Sequence, residues 1–155
     1  MPMPAHPPKN DSSPFSSFRG HHVGLRVRDF EAARTWYVEK LDFRVLHSWT
    51  GLGLSWAYLS PAGDDDFHLE IMGGPLEHDR PALDSVLESL TSAGFLHFCL
   101  EVADVEAAIA ELRNRGVAVT LPVSENPEIS RKFAFVRDPW GNMIELAERT
   151  PGAAA

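Results

Sequence analysis

The chain has 155 residues, 44% of them hydrophobic, which is enough apolar material for one globular domain or two small repeated modules and excludes a fibre or a wholly disordered chain. Its formal net charge of −8, from 14 Lys and Arg against 22 Asp and Glu, argues against a nucleic-acid surface or an anionic membrane as partner and favours a small molecule. Cys99 stands alone, so no internal disulfide can form and a cytoplasmic setting is expected.

Residues 1–18 are rich in Pro and Ser without an apolar run, unlike a signal peptide or membrane anchor, and read as a disordered tail. His22 to Val27 alternates as a strand. Asp29 is placed to cap a helix through Phe30, Ala33, Trp36, Tyr37 and Leu41 at helical spacing. Three strand-like runs follow, Phe43 to Trp49, Leu54 to Ser60 and Phe67 to Met72, separated by Gly51 and Gly53 and by the Pro61 to Asp64 turn. After a connector with a short helix from about Pro81 to Leu90, the same order returns. His97 to Val102 reads as a strand, and Asp104 caps a helix through Val105, Ala108, Ile109 and Leu112 that stops at Gly116. Strands at Val117 to Leu121, Lys132 to Arg137 and Met143 to Ala147 complete the second half, the last two joined by the Asp138-Pro-Trp-Gly-Asn142 turn.

The halves repeat. His22 and His97, like Glu70 and Glu145, are separated by 75 residues (97 − 22 and 145 − 70), and Val27 and Asp29 have counterparts in Val102 and Asp104 at that offset. The expected fold is α+β, with two tandem βαβββ modules forming curved mixed sheets whose hollows are free to hold a ligand. The expected boundaries are a tail over 1–18, a first module over 19–75, a connector over 76–94, a second module over 95–149 and a C-terminal tail over 150–155.

Strand alternation assigns a face to each polar residue. Val23, Leu25 and Val27 share one face of the first strand and His22, Gly24 and Arg26 the other. In the fourth, Phe67, Leu69 and Ile71 oppose His68, Glu70 and Met72. The second module repeats the pattern, with Phe98, Leu100 and Val102 against His97, Cys99 and Glu101, and Ile144 and Leu146 against Met143, Glu145 and Ala147. His22, Glu70, His97 and Glu145 therefore all fall away from the apolar helix-packing face. Carboxylates buried together repel and lose solvation, and a divalent cation relieves both costs. Two imidazoles and two carboxylates suit Zn, Ni, Co, Mn or Fe(II), so a single metal site built from these four residues is expected in the hollow.

The segments HVGLRV at 22–27, FHLEIM at 67–72, LHFCLEV at 96–102 and DPWGNMIELAE at 138–148 resemble the vicinal oxygen chelate superfamily, which includes glyoxalase I, extradiol dioxygenases, methylmalonyl-CoA epimerase, fosfomycin-modifying thiol transferases and bleomycin-binding proteins. The resemblance covers about His21 to Arg149. A glutamate at Glu70 on the fourth strand is most similar to glyoxalase I (lactoylglutathione lyase). This implies a metal-dependent lyase or isomerase acting through an enediolate on a small oxygen-chelating substrate such as a thiol hemithioacetal, with Glu145 as preferred base and Glu70 sharing the role. It also implies a homodimer, one divalent ion per site (Ni, Zn or Co, with Fe or Mn as further candidates), and substrate contacts from Arg26, which matches the arginine that holds a glutathione carboxylate, from Lys132 or Arg131 as a second basic anchor, and from His68. Gly74 stands where glyoxalase I has a glutathione-binding Asn, which separates the metal chemistry from glutathione itself. Two alternatives remain open. One is an extradiol-type Fe(II) dioxygenase with His22, His97 and Glu145 as ligands. The other is a metal-free drug-binding protein using Trp49, Trp56, Phe133 or Phe135. No role is expected for His21, His47 or His78, Cys99 reads as a small filler, and no phosphate-binding glycine motif is present.

Overall fold

A computed structural model of the protein describes residues 6–78, 83 and 85–150. The chain divides into two compact units, one within residues 8–79 and the other within 80–155. The first contains β1 (His22–Val27), α1 (Phe30–Leu41), β2 (Arg44–Gly51), β3 (Leu54–Ser60) and β4 (His68–Gly73). The second contains α2 (Val86–Ser89), β5 (His97–Glu101), α3 (Val105–Asn114), β6 (Ala118–Asn126), β7 (Arg131–Arg137) and β8 (Met143–Arg149). The expected βαβββ order is present in both.

Each unit carries one four-stranded sheet, in the order β1-β4-β3-β2 and β5-β8-β7-β6. The first and last strands of each module pair in parallel and the remaining pairs are antiparallel, so both sheets are mixed. This topology brings the histidine strand beside the glutamate strand: Gly24 lies opposite Glu70 in one sheet and Cys99 opposite Glu145 in the other.

The apolar face of each sheet is covered by its helix. Leu25, Val27, Ala57, Leu59, Leu69 and Ile71 are buried with Ala33 and Tyr37 of α1, while Phe98, Ala134, Val136, Ile144 and Leu146 are buried with Val105, Ile109 and Leu112 of α3. Burial of this kind contributes about 25 cal/mol per Å² of apolar surface and fixes which face remains open. Both helices start as expected, with Asp29 Oδ1 accepting from Ala32 N at 3.0 Å and Asp104 Oδ1 from Ala107 N at 2.9 Å.

The units solve the helix-to-sheet contact differently. Phe30 and Val105 both open their helices, and the residues beneath them are Gly73 and Glu148. A Cβ on Gly73 would collide with Phe30 Cβ and Cα, so α1 sits directly against the β4 backbone. At the matching place Glu148 Oε2 accepts a hydrogen bond from Val105 N at 2.9 Å and satisfies a free amide at the start of α3.

Three expectations are corrected in extent. The connector helix is one turn from Val86 to Ser89, capped by Ser85 Oγ accepting from Glu88 N; the part expected over 81, 82 and 84 lies outside the described residues. β6 runs to Asn126 rather than stopping at Leu121, because two register irregularities after Val119 carry it past Pro122. Residues 11–17 form turns, with Ser16 N donating to Ser13 O and Phe18 N to Phe15 O; the tails expected over 1–5 and 151–155 lie outside the described residues. Among the described residues no helix is long and apolar enough to cross a membrane.

The turn from β7 to β8 depends on Asp138, which is 2% exposed. Its carboxylate accepts from Trp140 N at 3.0 Å, Asn142 N at 2.8 Å and Asn142 Nδ2 at 2.7 Å, closing the turn that starts the Glu145 strand. Asp138→Ala leaves these donors without their acceptor, and a loss of about 2–4 kcal/mol in urea denaturation is expected. A loss below about 0.5 kcal/mol would mean that the donors are satisfied without it.

Candidate metal centre

In the first unit the open face of the sheet carries His22 beside Glu70. His22 Nε2 lies 3.7 Å from Glu70 Oε2, with side-chain exposures of 37% and 13%. The second unit repeats the pair at matching register: His97 Nε2 lies 3.0 Å from Glu145 Oε2. Among the described residues, no three or more His, Cys, Asp or Glu gather into a metal-holding group. Each unit thus presents a pair, and the expected four-residue set is not assembled within either one.

The pairs meet a simple test of fit. Donors at about 2.0–2.2 Å from an ion, at angles from square to tetrahedral, are roughly 3.0–3.5 Å apart. The His97–Glu145 pair sits at the lower end, and the His22–Glu70 pair needs to close by only a few tenths of an ångström. One neutral imidazole nitrogen with one carboxylate oxygen, twice, is also a suitable donor set for a first-row divalent ion.

Residues beside the pairs hold them in place. His21 Nδ1 and His22 Nδ1 are 2.7 Å apart, so His21 occupies one ring nitrogen of His22 and leaves Nε2 facing Glu70. Tyr58, opposite Glu70 on β3, donates its hydroxyl to that carboxylate; burial first, then the bond and negative charge of Glu70, push its pKa up. Gly24 leaves room on the other side, since a Cβ there would lie 3.0 Å from Met72 Cε and 3.6 Å from Glu70 Oε2. In the second unit the edge of His97 meets Phe135, with ring centroids 5.0 Å apart. His21 and Tyr58 were absent from the sequence-based set: one precedes the strand and the other is placed only by strand pairing.

The expected substrate contacts fare unevenly. His68 is 9% exposed, bonded through Nδ1 to Ser60 Oγ at 2.9 Å and packed against His21 and Tyr58, so it supports the first pair and does not face outward. Arg26 is on the open face, but its guanidinium donates to the carbonyls of Val27, Met72 and Pro75 at 2.7, 3.0 and 2.8 Å, tying down the chain after β4. Lys132 points the other way. It alternates with Phe133, and its Nζ lies 3.4 Å from Glu106 Oε1 on α3, which places it on the helix side and removes it from the substrate set. Arg131, one residue earlier, is on the Glu145 face, where its Nη2 lies 3.6 Å from Glu101 Oε2.

Cys99 is exposed at the strand surface, yet its sulfur lies low enough for burial, followed by the charge and hydrogen bond of Glu145, to push the thiol up to about 12. It is a protonated donor to Glu145 at neutral pH and unsuited to act as a nucleophile. The open face of the first sheet continues into an aromatic wall, where Trp49 stacks between His47 and Trp56 with interplanar angles of 15° and 14°. A depression of about 460 Å³ lies beside Phe30 and Gly73, on the helix side and away from His22 and Glu70.

A family model described as the Glyoxalase/Bleomycin resistance protein/Dioxygenase superfamily matches residues 19–146. The uncharacterized protein YwkD of Bacillus subtilis (strain 168) is 26% identical over 129 residues, spanning 83% of this chain and 95% of that protein. Lactoylglutathione lyase of Schizosaccharomyces pombe (strain 972 / ATCC 24843) is 22% identical over 166 residues, spanning 89% of this chain and 51% of the lyase. Among solved structures, TnmS3, an antibiotic binding protein from Streptomyces sp. CB03234, matches with a TM-score of 0.65 and 27% identity over 86% of this chain and 97% of that one. Two βαβββ modules, and a family match running from before β1 into β8, lead to one conclusion: the chain belongs to the glyoxalase/bleomycin resistance protein/dioxygenase superfamily.

Proposed function

We propose that the protein is a metal-dependent lyase or isomerase of the glyoxalase I type, acting on a small substrate with two neighbouring oxygens. The observation that carries this reading is the repeated His–Glu pair, His22 with Glu70 and His97 with Glu145, on the open face of both sheets. A protein that only sequesters a ligand has no use for the same donor pair twice.

The four residues would together hold one divalent ion, Ni, Zn or Co, with Fe or Mn as alternatives, supplied by two modules of one chain or of a homodimer. When bound, such an ion contributes Lewis-acid polarisation of the substrate oxygens. Glu145 takes a proton from one substrate carbon and returns it to the neighbour. It is the better placed base, since its side chain is 21% exposed against 13% for Glu70. Glu70 shares the transfer from the opposite side of the substrate. His21 and His68 keep the His22 ring oriented. Trp49 and Trp56 form a wall that excludes water from the substrate. The setting is cytoplasmic.

The Trp49–Trp56 stack supports a second reading, the binding of a planar drug; TnmS3 is an antibiotic binding protein. One assay separates the readings. Metal-loaded protein given hemithioacetals of methylglyoxal with glutathione and with smaller thiols is expected to form the hydroxythioester without consuming oxygen. Oxygen uptake with a catechol would assign the dioxygenase chemistry instead, and drug binding with neither activity would assign sequestration.

A further inference from the structure

The β2–β3 hairpin of the first unit turns in two residues, Leu52 and Gly53, between the paired Gly51 and Leu54. Both have positive φ, 55° and 73°, as a two-residue turn of the I′ type requires. Glycine adopts this conformation freely. For Leu52 it is strained, because Cβ crowds the neighbouring carbonyl, and Asn is the residue such turns prefer there. The strained side chain is also 92% exposed. One exposed leucine is ordinary on a protein surface. An exposed leucine on a strained backbone gains nothing within the monomer for either cost.

Two contacts hold the hairpin in this form. Trp56 Nε1 donates to Gly51 O at 2.9 Å across its base, and Leu54 packs so tightly on Gly74 that a Cβ there would lie 2.7 Å from Leu54 Cδ2. Beside the tip lies the depression of about 460 Å³, bordered by Gly53 and Ser55 of the hairpin, by Gly74, and by Arg28, Phe30 and Glu31 around the start of α1. Its border thus carries both signs of charge. The second unit repeats neither feature: four residues, 127–130, separate the paired Asn126 and Arg131 in its hairpin, and Glu148 stands where the first unit has Gly73.

We propose that Leu52 and this depression form a docking surface for a second copy of the chain, with Leu52 of each copy seated against Phe30 in the depression of the other. Knob and hollow share a border, so one two-fold axis satisfies both at once and the contact closes as a pair instead of propagating. The same axis sets Arg28 against Glu31 of the partner subunit, and the reverse, which makes the charged border complementary to itself. Docking takes the leucine out of water, and the rigid hairpin presents it without further ordering. The surface is separate from the His–Glu pairs, and the inference does not depend on the proposed function.

Sedimentation equilibrium of the full chain tests it, with wild type beside Leu52→Asn. Asn tolerates positive φ, so the variant should melt about 2–4 °C higher at concentrations where both proteins are dissociated. Its dissociation constant at this interface should nevertheless rise about 100-fold or more, since each pair loses two buried leucines. Where wild type is fully associated, the mass should therefore halve in Leu52→Asn. Arg28→Glu and Glu31→Arg should each weaken association about tenfold, and the double variant should restore it. That recovery is the deciding result should Leu52→Asn fold poorly. A wild type that remains a single chain at every concentration overturns the inference, as does a Leu52→Asn protein that melts higher yet keeps its mass. Loss of association in both charge variants without recovery in the double variant assigns their effect to folding and also overturns it.

Discussion

Replacing Glu145 by Gln is expected to lower kcat for the proposed isomerisation by about 10²–10⁴, the range that a positioned general base contributes. Gln keeps the size of the side chain and an oxygen able to accept from His97 Nε2, now 3.0 Å from the carboxylate, and from the Cys99 thiol. It loses the charge and the ability to take a proton. Metal affinity is expected to weaken as well, since one of two anionic donors is gone, so rates should be measured at saturating metal. Glu70→Gln under the same conditions should cost less in kcat, because Glu70 is the more enclosed of the two. Full activity in Glu145→Gln with unchanged metal content would remove Glu145 as the base, and a larger loss in Glu70→Gln would exchange the two roles.

The second large effect is structural. Gly73→Ala is expected to destabilise the first module by about 3 kcal/mol or more, because overpacking at a backbone-to-backbone contact cannot be relieved by a rotamer change. The added methyl would meet Phe30 at both Cα and Cβ, so α1 must lift from β4 along with the buried Tyr37 and Ala33. Glu70 and His22 lie on the other face of the strands that α1 packs, and their pairing should loosen with it. Thermal denaturation with a fluorescence probe measures this, and an unchanged Tm would show that the helix start can shift without cost. Glu148→Ala at the matching place in the second module removes a cap instead, and should cost only about 1 kcal/mol.

The contrast between Gly73 and Glu148 also shows where sequence reading reaches its limit. The repeat, the order of elements and the two faces of each strand were legible because the strand period is two and the apolar residues Leu25, Val27, Leu69 and Ile71 obey it. The same alternation puts His22 with Glu70 and His97 with Glu145, and the structure brings each of these pairs together. Residues that act across strands were not legible. Tyr58 reaches Glu70 only through the β3–β4 register, and His21 precedes β1, where alternation has no hold. The expectation for Lys132 rests on resemblance alone; alternation along β7 places it with the buried Ala134 and Val136, and Arg131 with Phe133. Arg26 is on the face expected, but no feature of its neighbours in sequence announces the three carbonyls that engage it.

The two His–Glu pairs are proposed to serve one ion. Elemental analysis of protein purified without an affinity tag, wild type beside Glu70→Ala, tests it most directly. About one Ni, Co or Zn per two modules is expected in the wild type, with a marked loss in Glu70→Ala. Iron retained in full without Glu70 would contradict the four-ligand site in favour of a three-ligand one, and a wild type that holds no divalent ion even after incubation with excess metal would contradict the claim outright.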